Sequence, residues 1–113
     1  MRIHHVAVRV SDCARAERFY SGVLGLPLLR RREDGAAVWL QAGDAILMLE
    51  RALRGAGAKD GSGHVLALEI DDLGRWEQTL VAAGVPIVDR SPHTLFVQDP
   101  DGHRVGLSTF PLP

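Results

Sequence analysis

Cysteine is almost absent from this sequence. Its one cysteine, Cys13, has no second cysteine in the chain with which to form a disulfide. The residue also lies where a helix is predicted to begin, and a lone cysteine at such a place is more often a small packing residue than a reactive thiol. These features favour a reduced, cytoplasmic setting.

An excess of charge of either sign is also missing. The chain has 13 basic and 14 acidic residues, and its formal net charge is -1 at pH 7. Nucleic-acid binding normally requires a basic surface, and a cationic ligand favours an acidic groove. We therefore exclude nucleic acid as a partner, and the charge balance argues against a cationic ligand.

Long apolar runs are lacking as well. No stretch approaches the roughly 20 apolar residues that a membrane-spanning helix needs, and the first residues do not have the charged-then-apolar design of a signal peptide. We expect no membrane partner and a cytoplasmic location. The hydrophobic fraction of 46% is typical of a folded protein, so the 113 residues predict one compact domain.

An internal repeat is what the sequence does contain. The opening MRIHHVAVRV (residues 1–10) returns in similar form as GHVLALEI (residues 63–70). Alternation of Val6, Val8 and Val10 with more polar residues indicates a strand with one face on a core. A capped helix is predicted after each copy, and both helices end in the same phrase, Gly-Leu-Pro at 25–27 and Gly-Val-Pro at 84–86.

Three short apolar stretches follow each predicted helix. They are Leu28–Arg31, Ala37–Gln41 and Ala45–Glu50 in the first copy, and Ile87–Asp89, Thr94–Gln98 and Arg104–Phe110 in the second. The pattern predicts an α+β fold of two βαβββ modules, residues 1–51 and 63–113, joined by a glycine-rich linker at 52–62. We expect the two sheets to lie side by side as a curved half-barrel with the helices on its outer face.

This order of motifs resembles the vicinal oxygen chelate superfamily, which includes glyoxalase I, the extradiol dioxygenases, the fosfomycin-resistance proteins and the bleomycin-resistance proteins. The phrases that carry the resemblance are IHHVAVRVSD, FYSGVLGLP, VLALEIDDL and QDPDGHRVGL, and together they span nearly the whole chain. The resemblance implies a ligand pocket in the concave sheet. In metal-dependent members it also implies four inward ligands, one from the first and one from the last strand of each module.

Carried over onto this chain, the four ligand positions fall on His5, Met48, Val65 and Gly106. Only His5 has a side chain that suits a divalent ion, because His, Glu and Gln are the usual ligands in the family. Gly106 stands where metal-dependent relatives have a Glu, and we expect it to leave open space there. Catalytic chelation is therefore disfavoured.

Two other residues are candidates to complete a metal site. Glu50 shares the strand face of Met48, and His64 precedes Val65 by one residue. Strand alternation sends His64 to the opposite side from Val65 unless a bulge re-aims it. By the same alternation His4, the counterpart of His64, is assigned to the face opposite His5.

The remaining candidates are pocket-lining residues. Ala7 and Ala67 share the pocket face of their strands, whereas Trp39 has equal claims to the cavity and to the core. Charged residues of the same parity are expected at a solvated rim or in pairs across the cup, since charges are rarely buried unpaired. They are Arg9, Glu50, Glu69 and Arg104.

The sequence thus supports a metal-independent small-molecule binding protein of the glyoxalase and bleomycin-resistance type. Its predicted pocket is lined by His5, Ala7, Trp39, Met48, Glu50, Val65, Ala67 and Gly106, and no cofactor is expected. The alternative is a divalent-metal-dependent lyase, isomerase or dioxygenase that uses Zn, Ni, Mn or Fe held by His5, Glu50 and His64. In either case we expect a small organic molecule as the partner and a homodimer.

Overall fold

The computed structural model describes residues 1–51 and 64–113 and divides the chain into two compact units, Met1–Lys59 and Asp60–Pro113. The predicted linker at 52–62 lies outside the described residues. Each unit contains one four-stranded sheet and one helical segment, and we call the units the first and second module. This architecture confirms the predicted α+β fold of two βαβββ modules.

Both modules have the same strand order. The strands of the first module are β1 (His5–Val10), β2 (Leu28–Arg31), β3 (Ala37–Ala42) and β4 (Ala45–Arg51), ordered β1-β4-β3-β2. Those of the second are β5 (Leu66–Glu69), β6 (Asp89–Arg90), β7 (Thr94–Gln98) and β8 (Arg104–Ser108), ordered β5-β8-β7-β6. In each module the first strand runs parallel to the last, and the other pairs are antiparallel.

The helices begin at aspartate caps, as the sequence predicts. The side chain of Asp12 accepts a hydrogen bond from the backbone N–H of Arg15 at 3.1 Å, and Asp72 accepts one from Arg75 at 3.1 Å. The bond from Arg15 is the main reason why the pKa of Asp12 is lower than its ordinary value of 3.8. The same local chemistry therefore starts both helices.

The two helices differ in their later turns. Helix α1 (Cys13–Glu17) continues as a π-helical segment, Arg18–Val23, whereas α2 (Leu73–Ala82) is α-helical throughout. Both are followed by a glycine with positive φ, Gly25 at 80° and Gly84 at 71°, which ends the helix. In the described part of the chain, no helix has the length and apolar character needed to cross a membrane.

The core of each module lies between its sheet and its helix. Leu47 and Leu49 of β4 and Val105 and Leu107 of β8 are at most 1% exposed. Cys13 is buried, and its Sγ lies 3.8 Å from the backbone oxygen of Leu49. Cys13 is therefore a small packing residue at the start of α1, on the side of the helix that faces the core, as predicted.

Three strands are shorter than or displaced from the predicted ones. In the described part of the predicted strand 63–70, residues 64–70, the strand is Leu66–Glu69; the stretch 87–89 is observed as Asp89–Arg90, and 104–110 as Arg104–Ser108. The pairing of β5 with β8 begins at Leu66 and Val105. The chain before β8 forms a turn, in which the N–H of Asp99 donates to the carbonyl of His103 at 2.9 Å.

Candidate functional site

Each sheet has one face under its helix and one face that the helix does not cover, which we call the open face. In the first module the strand register arranges the open-face side chains in three rows across the sheet. The rows are His5, Ile46 and Gln41; Ala7, Met48, Trp39 and Arg30; and Arg9, Glu50 and Ala37. The five predicted pocket residues of this module therefore share one face.

Strand alternation places Met48 as the sequence predicts. Its neighbours Leu47 and Leu49 are buried on the helix side, whereas Met48 is half-buried on the open face. The structure also places Trp39, for which the sequence left two alternatives. Its cross-strand partner is Met48, so the half-buried indole belongs to the open face.

The immediate neighbour of the His5 ring is another imidazole. The Nδ1 atoms of His4 and His5 are 2.8 Å apart, and both side chains are exposed. The contact was not predicted, and the assignment of His4 to the face away from His5 stays a prediction. His4 precedes the first paired residue of β1, so the alternation of the strand does not yet fix its direction.

This contact sets the chemistry of His5. When its Nδ1 donates the shared proton to His4, its Nε2 is an acceptor that faces away from the contact. When His4 donates, Nε2 of His5 carries a proton and is a donor. A hydrogen bond to one ring nitrogen fixes the tautomer and the ring orientation of a histidine that binds a ligand with the other. His4 is in a position to do this for His5.

Glu50 is engaged at the other end of the same face. Its carboxylate lies 3.5 Å from the guanidinium of Arg9, its direct cross-strand neighbour. His5 is opposite Ile46, four residues from Glu50 along β4. At about 3.3 Å per residue, His5 and Glu50 stand roughly 13 Å apart along the sheet, with side chains perpendicular to it. Glu50 therefore pairs with its neighbour on the next strand, and this geometry does not favour a ligand role beside His5.

Gly106 does not leave the open space that the sequence predicts. It is buried on the open face of the second module, and a Cβ built on it would lie 3.3 Å from Cε1 of Phe96 and 3.3 Å from Cγ2 of Thr94. Phe96 is its cross-strand partner on β7, and the ring leans over the glycine. The expectation was wrong because an aromatic residue on the next strand fills the space.

The other predicted residues of the second module lie near the beginning of β5. Ala67 is opposite Gly106 and shares its face. Val65 and His64 precede the strand, and both are exposed, Val65 by 50%. The described residues include no bulge that turns His64 toward Ala67, and its role stays a prediction.

Within either module by itself, the donor chemistry of the described residues does not fit a divalent-metal centre. In residues 1–51, and likewise in residues 64–113, no three His, Cys, Asp or Glu side chains come together in a group that could hold an ion. Protein sites for Zn and similar ions use three or four such ligands. Around His5 there is one further imidazole and an apolar neighbour, Ile46, while the Gly106 position is covered by a ring.

Arg30 is a candidate residue that the sequence reasoning missed. Its Cζ lies 5.6 Å from the centre of the Trp39 ring, at a cation–π distance. A β-bulge precedes it, because Leu28 pairs with Leu40 while Arg30 pairs with Trp39. Without the extra residue, Arg30 would be opposite Val38 on the helix face. The two arginines in Leu-Leu-Arg-Arg were the available signal. Strand alternation without a bulge, however, assigns Arg30 to the helix face and Arg31 to the open face, which is the reverse of the observed arrangement.

A cavity of about 430 Å³ lies elsewhere, between the end of β5 and the first turns of α2. Its lining residues are Glu69, Ile70, Asp71, Arg75 and Trp76. It is wide open to solvent, and Arg75 and Asp71 form an ion pair within it. None of the predicted pocket residues lines it, so we do not assign the ligand site to this cavity.

Comparison with known sequences gives a family. A model of the Glyoxalase/Bleomycin resistance protein/Dioxygenase superfamily matches residues 2–107. A protein named probable lactoylglutathione lyase from Vibrio cholerae is 34% identical over 94% of this chain and 88% of its own length. The lactoylglutathione lyase of Haemophilus influenzae is 29% identical over 93% of this chain and 90% of its own length.

Solved structures support the same fold at lower identity. A glyoxalase/dioxygenase from Nostoc punctiforme has a TM-score of 0.83 at 20% identity and covers 98% of this chain and 92% of that one. The fosfomycin resistance protein FosX from Listeria monocytogenes has a TM-score of 0.82 at 13% identity, with coverage of 98% and 92%. From the family match over nearly its whole length, the chain belongs to the Glyoxalase/Bleomycin resistance protein/Dioxygenase superfamily.

Proposed function

We propose that this protein binds a small organic molecule on the open face of its first module, without a resident metal ion. The observation that carries the proposal is the row Ala7, Met48 and Trp39, which is a methyl, a thioether and an indole side by side. Ligand sites for organic molecules are mostly apolar and aromatic, with a few polar groups that fix orientation. The His4–His5 pair, one row away, is such a polar group.

The ligand positions of the family support this proposal. Met48 and Gly106 stand at two of them, and neither offers a donor that a divalent ion prefers. A carboxylate at position 106 would also need the Phe96 ring to move, since the space above the glycine is filled. The function we propose is therefore binding, with His5 as a hydrogen-bonding group to the ligand.

The comparisons favour a second candidate, which is a divalent-metal-dependent lyase, isomerase or dioxygenase of the glyoxalase type. The curated relatives from Vibrio cholerae and Haemophilus influenzae both have lactoylglutathione lyase in their names, and the expectation of no cofactor has no support from them. In this candidate, Zn, Ni, Mn or Fe would be held by His5 with Glu50 and His64. Within the first module, Glu50 pairs with Arg9 and stands four strand positions from the residue opposite His5, and we derive no reaction step through the metal.

Metal analysis combined with a lyase assay separates the two candidates. The protein is purified without chelators, its metal content is measured by mass spectrometry, and turnover is measured with lactoylglutathione. The binding proposal predicts well under one ion per chain and no turnover above background. His93→Ala is the matched control for His5→Ala, because His93 is an exposed histidine of the second module that contacts Phe110 and is not a candidate ligand.

About one ion per chain that is lost in His5→Ala and kept in His93→Ala would overturn the binding proposal and support the lyase.

The predicted homodimer is a further proposal, and light scattering at micromolar concentration tests it. A monomer under those conditions would contradict it.

A further inference from the structure

The polar groups on the open face of the first module are nearly all engaged. Gln41 donates from its amide to the backbone oxygens of Gly43 and Ala45. Glu50 is paired with Arg9, and His5 with His4. What remains is Arg30, which is exposed and lies over the Trp39 ring.

Arg30 differs from the other arginines near it in having no carboxylate partner within the described ranges. Arg31 binds Glu17 on the helix side at 2.7 and 3.1 Å, and Arg32 binds Asp34 at 2.9 Å. The charge of Arg30 therefore remains available on the face that carries the apolar row.

The bulge at Leu29 is what brings this charge to the open face. It shifts the register so that Arg30, and not Leu29, is opposite Trp39. Bulges re-aim side chains and are over-represented next to functional sites. The local geometry therefore places a planar cation beside a planar aromatic ring and an adaptable methionine, Met48.

The second module also has an arginine near the aromatic ring of its row, but this arginine comes from β8 and is paired. Arg104 lies 5.5 Å from the centre of the Phe96 ring, but its guanidinium is 3.5 Å from the carboxylate of Asp89. Asp89 occupies the place of Arg30, since it is the cross-strand partner of Phe96. The Phe96 ring itself covers Gly106. In the corresponding row of the second module, the arginine charge is therefore neutralised by Asp89 and the space above Gly106 is filled by Phe96.

From these contacts we propose that the row Ala7, Met48, Trp39 and Arg30 selects a planar aromatic carboxylate. The ring of the ligand stacks against the indole of Trp39 and the sulfur of Met48, and its carboxylate accepts hydrogen bonds from the guanidinium of Arg30. This inference rests on the proposed function, because it names the class of small molecule that the open face binds.

The probe for the test is 1-naphthoate, compared with 1-naphthalenemethanol, which lacks the charge, and cyclohexanecarboxylate, which lacks the aromatic ring. Binding is measured by quenching of Trp39 fluorescence in a Trp76→Phe background and by calorimetry on the unmodified chain. We expect 1-naphthoate to bind at least about tenfold more tightly than either comparison compound, a difference of about 1.4 kcal/mol.

Variants of Arg30 and Trp39 locate the site. Arg30→Met should weaken 1-naphthoate binding about tenfold and leave 1-naphthalenemethanol unaffected, while Arg30→Lys should retain part of the difference because it keeps the charge without the planar fork. Trp39→Leu, measured by calorimetry, should weaken both compounds. Arg104→Met is the matched control, and it should bind 1-naphthoate as the unmodified chain does.

Four outcomes would overturn the inference. The first is equal loss in Arg104→Met and Arg30→Met, and the second is no preference for the carboxylate. The third is a dimer that dissociates in Arg30→Met, which would make the row an interface between copies of the chain. The fourth is that 1-naphthoate does not bind while cyclohexanecarboxylate binds and its binding is lost in Met48→Asp; the inference then fails and the proposed function stands. Loss of fold in Trp39→Leu is detected by circular dichroism, and Arg30→Met then decides the matter alone.

Discussion

The two modules are built on one plan and differ at its centre. In both, the first, last and third strands place an alanine, a variable position and an aromatic ring side by side: Ala7, Met48 and Trp39 in one, and Ala67, Gly106 and Phe96 in the other. In the second module the ring covers the glycine. In the first it lies beside a methionine and under an arginine with no carboxylate partner in the described ranges. The same strand order thus carries a row whose central space is filled in the second module and a row with an exposed arginine in the first.

The features shared by the modules are those that build the fold. The helix caps have the same 3.1 Å geometry, and each helix is tied to its sheet by an equivalent ion pair, Glu17 with Arg31 and Glu77 with Arg90. The differences at the centre of the two sheets lie on the open faces. Divergence within this chain has therefore changed these faces and kept the cap and ion-pair contacts.

The largest effect that separates the modules is expected at the variable position. Gly106→Leu adds atoms where a Cβ alone already meets Phe96 and Thr94 at 3.3 Å, so it should destabilise the protein by about 1–3 kcal/mol. Met48→Leu conserves volume on a half-buried face and should cost less than about 1.5 kcal/mol. Urea unfolding measures both. Adding Phe96→Ala to Gly106→Leu should recover part of the loss, and a Gly106→Leu variant as stable as the unmodified chain would contradict the filled row.

The caps are expected to have a smaller effect, equal in the two modules. Asp12→Ala and Asp72→Ala each remove an acceptor for a helix N–H, so both should lower the thermal midpoint at neutral pH to a similar extent. Asp44→Ala, in the turn between β3 and β4, is the control. Unequal loss from the two caps would show that the modules differ in their supports as well as in their open faces.

The cap at Asp12 also has a predictable pH dependence. Because its pKa is lower in the folded chain than the ordinary value of 3.8, the cap stabilises the fold above that pH. The stabilisation is lost as the pH falls through the lower, folded value. The difference in thermal midpoint between Asp12→Ala and the unmodified chain should therefore be constant near neutrality and shrink in this acid range. A difference that grows on acidification would contradict the assignment.

The smallest effect is expected from the ion pairs between helix and sheet. Arg31 binds both oxygens of Glu17, whereas Arg90 binds one oxygen of Glu77, and Glu17 is the less exposed carboxylate, at 19% against 41%. Glu17→Gln should therefore lower the urea midpoint slightly more than Glu77→Gln, and added salt should narrow the gap. The reverse order would show that the two-oxygen contact has no energetic consequence.

Much of the fold could be predicted from the sequence, because it depends on patterns that strands and helices repeat. The alternation at Leu47, Met48 and Leu49 gave their sides correctly, and the Gly-x-Pro phrases marked the ends of both helices. The internal repeat gave the two βαβββ modules. Such features depend on periodicity and turn chemistry, which are local properties of the chain.

The site was harder to predict, because it depends on which residues face each other across strands. The filling of the Gly106 position results from the partnership with Phe96 on the neighbouring strand. The side of Arg30 depends on a one-residue bulge that reverses its alternation. The contact of His4 with His5 involves a residue that precedes the paired part of β1. Periodicity carries no information about a shift in register or about contacts outside the paired strands, so these three features were not predicted.

The π-helical segment Arg18–Val23 shows that an extra residue need not alter a surface. The chain has one more residue between Asp12 and Gly25 than between Asp72 and Gly84. In an α-helix each added residue rotates the next part of the chain by about 100°, but a wider π turn accommodates the insertion within the helix. The exit glycine and the next strand therefore keep their phase. An extra residue is thus accommodated within the first helix, whereas the extra residue that β2 has relative to its partner β3 puts Arg30 on the other side of the strand.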